Sequence, residues 1–190
     1  MAIWPLLQNN HQINFMKRIM LLTILLTIAL IKPGSTFYMS QAEKIALYEA
    51  IHIQVRTKEI KASEFTPDLF FEYINLMGVK SPGIVYSQAI LETGWFRSNS
   101  FSDYNNLFGM KEPKIRPNLV TGVGLGHASF DHWTTSVEDF KLWQEYWHSK
   151  GYDQTDYFAF LDDVGYATAS RYVKIVKGIY NKGHGLPLLT

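Results

Sequence analysis

The sequence predicts a mainly α domain with one short β-hairpin inserted between its helices. Two observations carry this. Ser, Thr and Pro recur where apolar periodic segments begin, and Gly recurs where they stop. Between residues 98 and 135 that grammar gives way to Gly, Asn, Pro and aromatic residues, and then it returns.

The elements follow in order. Lys17 and Arg18 precede an uncharged apolar run over residues 19–31, and Lys32, Pro33, Gly34 and Ser35 follow it. This is the pattern of an export signal, and the run is shorter than the ~20 residues of a spanning helix. Met16 directly precedes the charged pair and is an alternative start, and no small-x-small cleavage site stands out. Residues 1–36 are therefore expected to be an N-terminal extension with a signal peptide or uncleaved anchor, and 37–190 a single domain. Ser40 and Glu43 form a capping-box signature ahead of Ile45, Tyr48, Ile51 and Val55 at helical spacing. Thr66-Pro67 opens a second helix, which Gly78 stops, and Ser81-Pro82 opens a third, which Gly94 stops. Val120, Gly122 to Gly126, and Ala128 to Phe130 suggest the hairpin. Ser136 and Asp139 then read as the cap of a helix carrying Val137, Phe140, Trp143 and Trp147 up to Gly151. Two shorter helices are expected over 157–164 and 170–180, the second burying Tyr172, Val173, Ile175, Val176 and Ile179.

The bulk composition excludes several function classes. A chain of 190 residues with 47% hydrophobic content can bury one good core. Lys and Arg number 18 against 17 Asp and Glu, with no sustained basic run, so nucleic acid is not expected as a partner. The absence of Cys removes thiolate metal sites, catalytic thiols and disulfides, and the scattered histidines, His127 and His132 among them, show no ligand pattern. No metal and no cofactor are expected.

Glu92 is the residue with the clearest chemical meaning. It ends an apolar helix in the segment SQAILETGW, just before a Gly-Trp turn. A carboxyl group among apolar neighbours loses hydration of its charged form, so its pKa rises, as a glycosidic general acid requires. Spacing alone also leaves open an ordinary surface carboxylate at a helix end.

Four blocks in one order, SQAILETGW, DYNNLFGMK, ASFDHWTTSVEDF and VGYATASRY, resemble the peptidoglycan N-acetylglucosaminidase family of bacterial autolysins and flagellar peptidoglycan hydrolases, whose domain is of the mannosyl-glycoprotein endo-beta-N-acetylglucosaminidase type. The resemblance covers residues 65–180. It implies a lysozyme-like α+β fold with Glu92 as the acid facing a groove for a glycan strand. It implies that residues 106–109 form the groove floor, with Asn106 contacting an N-acetyl group or stabilising a turn. Trp95 and Phe108 are candidates to stack on sugar faces, or to be core. The resemblance puts Tyr166 near the scissile bond and Tyr172 at the second tyrosine of the block, a groove contact or a packing residue. Where the family carries Asp this chain has Ala169, with Ser170 a substitute cap.

The second catalytic group is less clear. Glycosidases generally use two carboxylates about 5 to 9.5 Å apart. The hairpin has no Glu after Glu112, and Asp131 is the acid at its far end. Asp131 is thus the candidate second carboxylate. The alternative is that the substrate's own 2-acetamido group attacks, with Tyr166 orienting it or sharing the developing charge. The activity implied is cleavage of the β-1,4 bond between N-acetylglucosamine and N-acetylmuramic acid in peptidoglycan. A lytic transglycosylase or muramidase, or an inactive wall-binding module, remains open, because a fold does not decide the bond cut. The expected setting is the cell envelope or beyond, with a monomer acting on the glycan strand and meeting a membrane only through an uncleaved N-terminal segment.

Overall fold

A computed structural model describes residues 40–183. The expected export segment, the alternative start at Met16 and the expected domain boundary lie outside these residues. The chain divides into two compact units, Met1–Glu59 and Ile60–Thr190.

In the first unit, helix α1 (Gln41–Lys61, its last residues passing into the second) starts as its capping box predicts. The Ser40 backbone N–H donates to Glu43 Oε2 at 2.8 Å, while the Glu43 N–H donates to Ser40 Oγ at 3.3 Å. Its periodic apolar residues are all exposed, from Ile51 at 50% to Tyr48 at 74%. Among the described residues, no helix is long and apolar enough to cross a membrane.

The second unit is mainly α with one two-stranded antiparallel sheet, the fold class the sequence predicts. Its elements are α2 (Pro67–Leu76), α3 (Pro82–Glu92), α4 (Asn99–Ser102), β1 (Gly122–Gly124), β2 (His127–Ser129), α5 (Trp133–Ser149), α6 (Tyr157–Asp163) and α7 (Tyr172–Asn181). Thr66 caps α2, its Oγ1 accepting from the Leu69 N–H at 3.2 Å, with Pro67 in the first turn. Helix α3 lies between α2 and α7 and is apolar nearly all round, with Val85, Tyr86, Ala89 and Ile90 at 0 to 1% exposure. The strands pair Gly122 with Ser129, Val123 with Ala128 and Gly124 with His127. Leu125 and Gly126 connect them with φ of 52° and 79°, the two positive values of a type I′ turn.

Three sequence expectations are corrected. Helix α5 begins at Trp133, three residues before the expected Ser136, with His132 as its cap. Ser136 and Asp139 both face inward one turn into the helix. Ser136 Oγ accepts from the Leu107 N–H at 3.1 Å, and the Asp139 carboxylate pairs with Arg116 through contacts of 3.1 and 2.6 Å. The motif looked like a cap because the same short polar side chains serve either purpose, and the partners lie far away in sequence. Ser170 does not cap α7, which starts from Arg171 without a side-chain cap. Within α7, Tyr172 and Val176 are buried, but Ile175 is 45% exposed, because its position turns away from α3 and α6.

The core consists of aromatic clusters that position the site. Phe96 lies 5.0 Å from Phe65, 5.9 Å from Phe70 and 5.9 Å from Tyr86. A second run stacks Phe108 on Phe140 at 4.1 Å and Phe140 on Trp143 at 5.2 Å, with Tyr166 edge-on to Trp143 at 5.1 Å.

Candidate active site

Helix α3 ends at Glu92 in a way that uncovers the residues after it. The Trp95 N–H reaches back to the Ile90 carbonyl at 2.9 Å, and Thr93 Oγ1 donates to the Ala89 carbonyl at 2.6 Å. Gly94, Trp95 and Phe96 follow with φ of 54°, 64° and 61°, three successive left-handed residues. For Trp95 and Phe96 that backbone costs about 1–2 kcal/mol each. The Phe96 N–H bond to Thr93 Oγ1 at 2.8 Å and the aromatic packing of Phe96 offset the strain. The turn drives Phe96 into the core and leaves Trp95 half exposed, three residues after Glu92.

Glu92 is half-buried. Burial raises its pKa above the usual carboxylate value, and donation from the Tyr172 hydroxyl and the charge of a protonated His127 pull the other way. Tyr172 is itself held, its hydroxyl accepting from Gln88 Nε2 at 3.2 Å, one turn before Glu92 on the same helix. Burial and the neighbouring Glu92 charge push the Tyr172 hydroxyl far above the ordinary phenol value, so it remains a donor.

The segment 106–109 closes the other side. Asn106 is 1% exposed. Its Nδ2 donates to the carbonyls of Met110 at 2.9 Å and Ala128 at 2.8 Å, and its Oδ1 accepts from the N–H groups of Phe108 at 3.3 Å and Met110 at 3.0 Å. With both donors and both lone pairs occupied, Asn106 holds the turn and ties it to β2. Of the two roles the sequence left open for it, this geometry matches the turn. The turn delivers Gly109 with φ +60°, and a Cβ there would lie 2.8 Å from Glu92 Oε2. A side chain at this position would force the carboxyl group to move from where it lies, and the left-handed φ itself favours Gly.

The remaining expected residues divide by exposure. Phe108 is 1% exposed and stacked on Phe140, so its ring belongs to the core behind the Gly109 turn. Tyr172 is 8% exposed and bears on Glu92. Tyr166 donates its hydroxyl to the Phe108 carbonyl at 2.9 Å and its ring lies 5.3 Å from that of Tyr172. Burial raises its pKa strongly, with the charge of Glu92 adding to the effect. Asp131 is exposed just before α5, and Glu112 is exposed in the loop before the hairpin. Among the described residues neither carboxylate has a hydrogen-bond or ion-pair partner, and no group of three or more His, Asp or Glu side chains is arranged to hold a metal.

One residue of this site was not legible in the sequence. His127 on β2 sits against the Gly109 turn, its Nδ1 3.1 Å from the Gly109 carbonyl, and acts electrostatically on Glu92. A metal site announces itself by paired ligands, whereas a lone imidazole carries no spacing signal. The hint available was its place immediately after the Leu125-Gly126 turn, in the strand pair 122–129, which holds no Asp or Glu.

Residues 68–184 match the family model Glucosaminidase, described as mannosyl-glycoprotein endo-beta-N-acetylglucosaminidase. Comparison with curated proteins and with solved structures gives no match.

Proposed function

We propose, from the premise that this chain belongs to the mannosyl-glycoprotein endo-beta-N-acetylglucosaminidase family, that it cleaves the β-1,4 bond between N-acetylglucosamine and N-acetylmuramic acid in peptidoglycan. The family makes the domain a glycoside hydrolase, of the type that acts on peptidoglycan, with a glycan as its substrate. The observation that carries the finer reading is the setting of Glu92: a half-buried carboxyl at the end of α3, with raised pKa, lying against the Gly109 turn.

Glu92 protonates the leaving glycosidic oxygen. The substrate's acetamido oxygen attacks the anomeric carbon as the C–O bond breaks, and water then opens the cyclic intermediate with the Glu92 carboxylate taking its proton. This scheme needs no second enzyme carboxylate, which agrees with the lack of partners around Asp131 and Glu112. Trp95 offers an apolar face to a sugar ring. Tyr172 steadies Glu92, and Tyr166 braces the groove wall through the Phe108 carbonyl. The charged-then-apolar pattern of residues 17–31 supports export, with the hydrolase domain acting in the envelope or outside the cell.

Digestion of purified sacculi followed by reducing-end analysis tests the bond. New N-acetylglucosamine reducing ends are expected, and Glu92→Gln should abolish them. Anhydro-muramic ends would make the enzyme a lytic transglycosylase, reducing muramic ends a muramidase, and no release at all a binding module.

A further inference from the structure

Gly109 is flanked by two titratable side chains that come from different parts of the chain. On one side is the Glu92 carboxylate, so close that a Cβ on Gly109 would stand 2.8 Å from Oε2. On the other is the His127 ring, with Nδ1 3.1 Å from the Gly109 carbonyl. A carbonyl only accepts, so Nδ1 carries the proton and the neutral ring keeps its lone pair on Nε2. The ring therefore takes up its second proton at Nε2 without breaking its bond to the turn. The hairpin is well placed to keep it there. His127 pairs with Gly124, where the Tyr104 ring leaves no room for a side chain, and the next residue, Ala128, is fully buried and holds Asn106 through its carbonyl.

We propose that His127 is a positioning residue for Glu92: it clamps the Gly109 turn against the carboxylate and sets the electrostatic surroundings in which Glu92 works. The inference rests on Glu92 being the acid. The groups acting on Glu92 are the Tyr172 hydroxyl from α7, the Tyr166 ring from the segment after α6, and His127 from β2. Both tyrosines stay protonated, so they act on Glu92 as neutral hydroxyls and rings. An imidazolium beside the carboxylate favours its ionised form, which opposes the effect of burial.

The test is a carboxyl-carbon NMR titration of the full chain labelled at glutamate, with the Glu92 signal identified by its loss in Glu92→Gln. His127→Asn keeps a donor near the Nδ1 position and removes the charge. Its Glu92 midpoint is expected above that of the parent, and the alkaline limb of its kcat/KM profile should move up with it. His127→Phe removes donor and charge together, and its kcat at the parental optimum should fall about tenfold or more as the turn loosens. A Glu92 midpoint in His127→Asn equal to the parental one would overturn the proposal. If the parent cleaved no peptidoglycan, the reading of the enzyme would fail, and the titration would still decide the role of His127.

Discussion

Replacing Gly109 with Ala separates stability from catalysis at this site. The new methyl group would lie 2.8 Å from Glu92 Oε2 and 3.5 Å from its Cδ, and no other heavy atom comes within 4 Å. Both are the far end of a flexible side chain, so the fold can relieve the contact by swinging the carboxyl group away. The stability cost then comes chiefly from the backbone at φ +60°. That is about 1–2 kcal/mol for an L residue, offset by up to about 1 kcal/mol because Ala narrows the unfolded ensemble. A net loss of about 1 kcal/mol lowers Tm by about 2–4 °C in a domain of this size. Catalysis is expected to fare worse, because the displaced group is the proposed proton donor, and a shift of about 1 Å in a reacting group costs on the order of 10²-fold. Thermal denaturation and steady-state release of reducing ends on the same purified Gly109→Ala sample give both numbers. Parental turnover with a normal melting curve would refute the placement of Glu92 against this turn as a catalytic requirement.

Other substitutions probe the acid, the second carboxylate and the wall. Glu92→Gln should lower hydrolysis by at least ~10²-fold, because the amide is close in shape and cannot donate the proton. Burial raises the folded-state pKa of Glu92, so its favourable contribution is complete below the unfolded value and is lost as pH rises through the folded one. Glu92→Gln should therefore melt higher than the parent at neutral and alkaline pH and lose that advantage in acid, which calorimetry across pH checks. Asp131→Asn and Glu112→Gln should each keep most activity on defined glycan oligomers, and a loss as deep as that of Glu92→Gln in either would restore a two-carboxylate mechanism. Arg116→Met strands the fully buried Asp139 carboxylate and should cost about 3–5 kcal/mol, read as a lowered midpoint in denaturant.

Much of the fold was legible because helix boundaries are local. The Thr66-Pro67 start, the Gly78 stop, the Ser40 and Glu43 box and the Leu125-Gly126 turn each depend on residues within one turn of one another. Glu92 was legible for the same reason: its apolar helix, its terminal place and the following Gly-Trp are contiguous in sequence. Polar side chains with distant partners were not legible. Ser136 and Asp139 matched a cap and instead reach Leu107 and Arg116, 29 and 23 residues away. Tertiary packing decided which side chains of the recognised blocks stand exposed and which are buried. Trp95 is carried outward by its left-handed turn, while Phe108 is stacked into the core and Asn106 is consumed by the backbone. It also brought His127 beside Glu92, 35 positions earlier in the chain. A local pattern records how the backbone starts and stops, whereas the environment of a carboxyl group depends on whatever the folded chain brings around it. The sequence alone therefore determined the helices, the hairpin and the candidate acid, and the tertiary structure decided which groups surround that carboxyl.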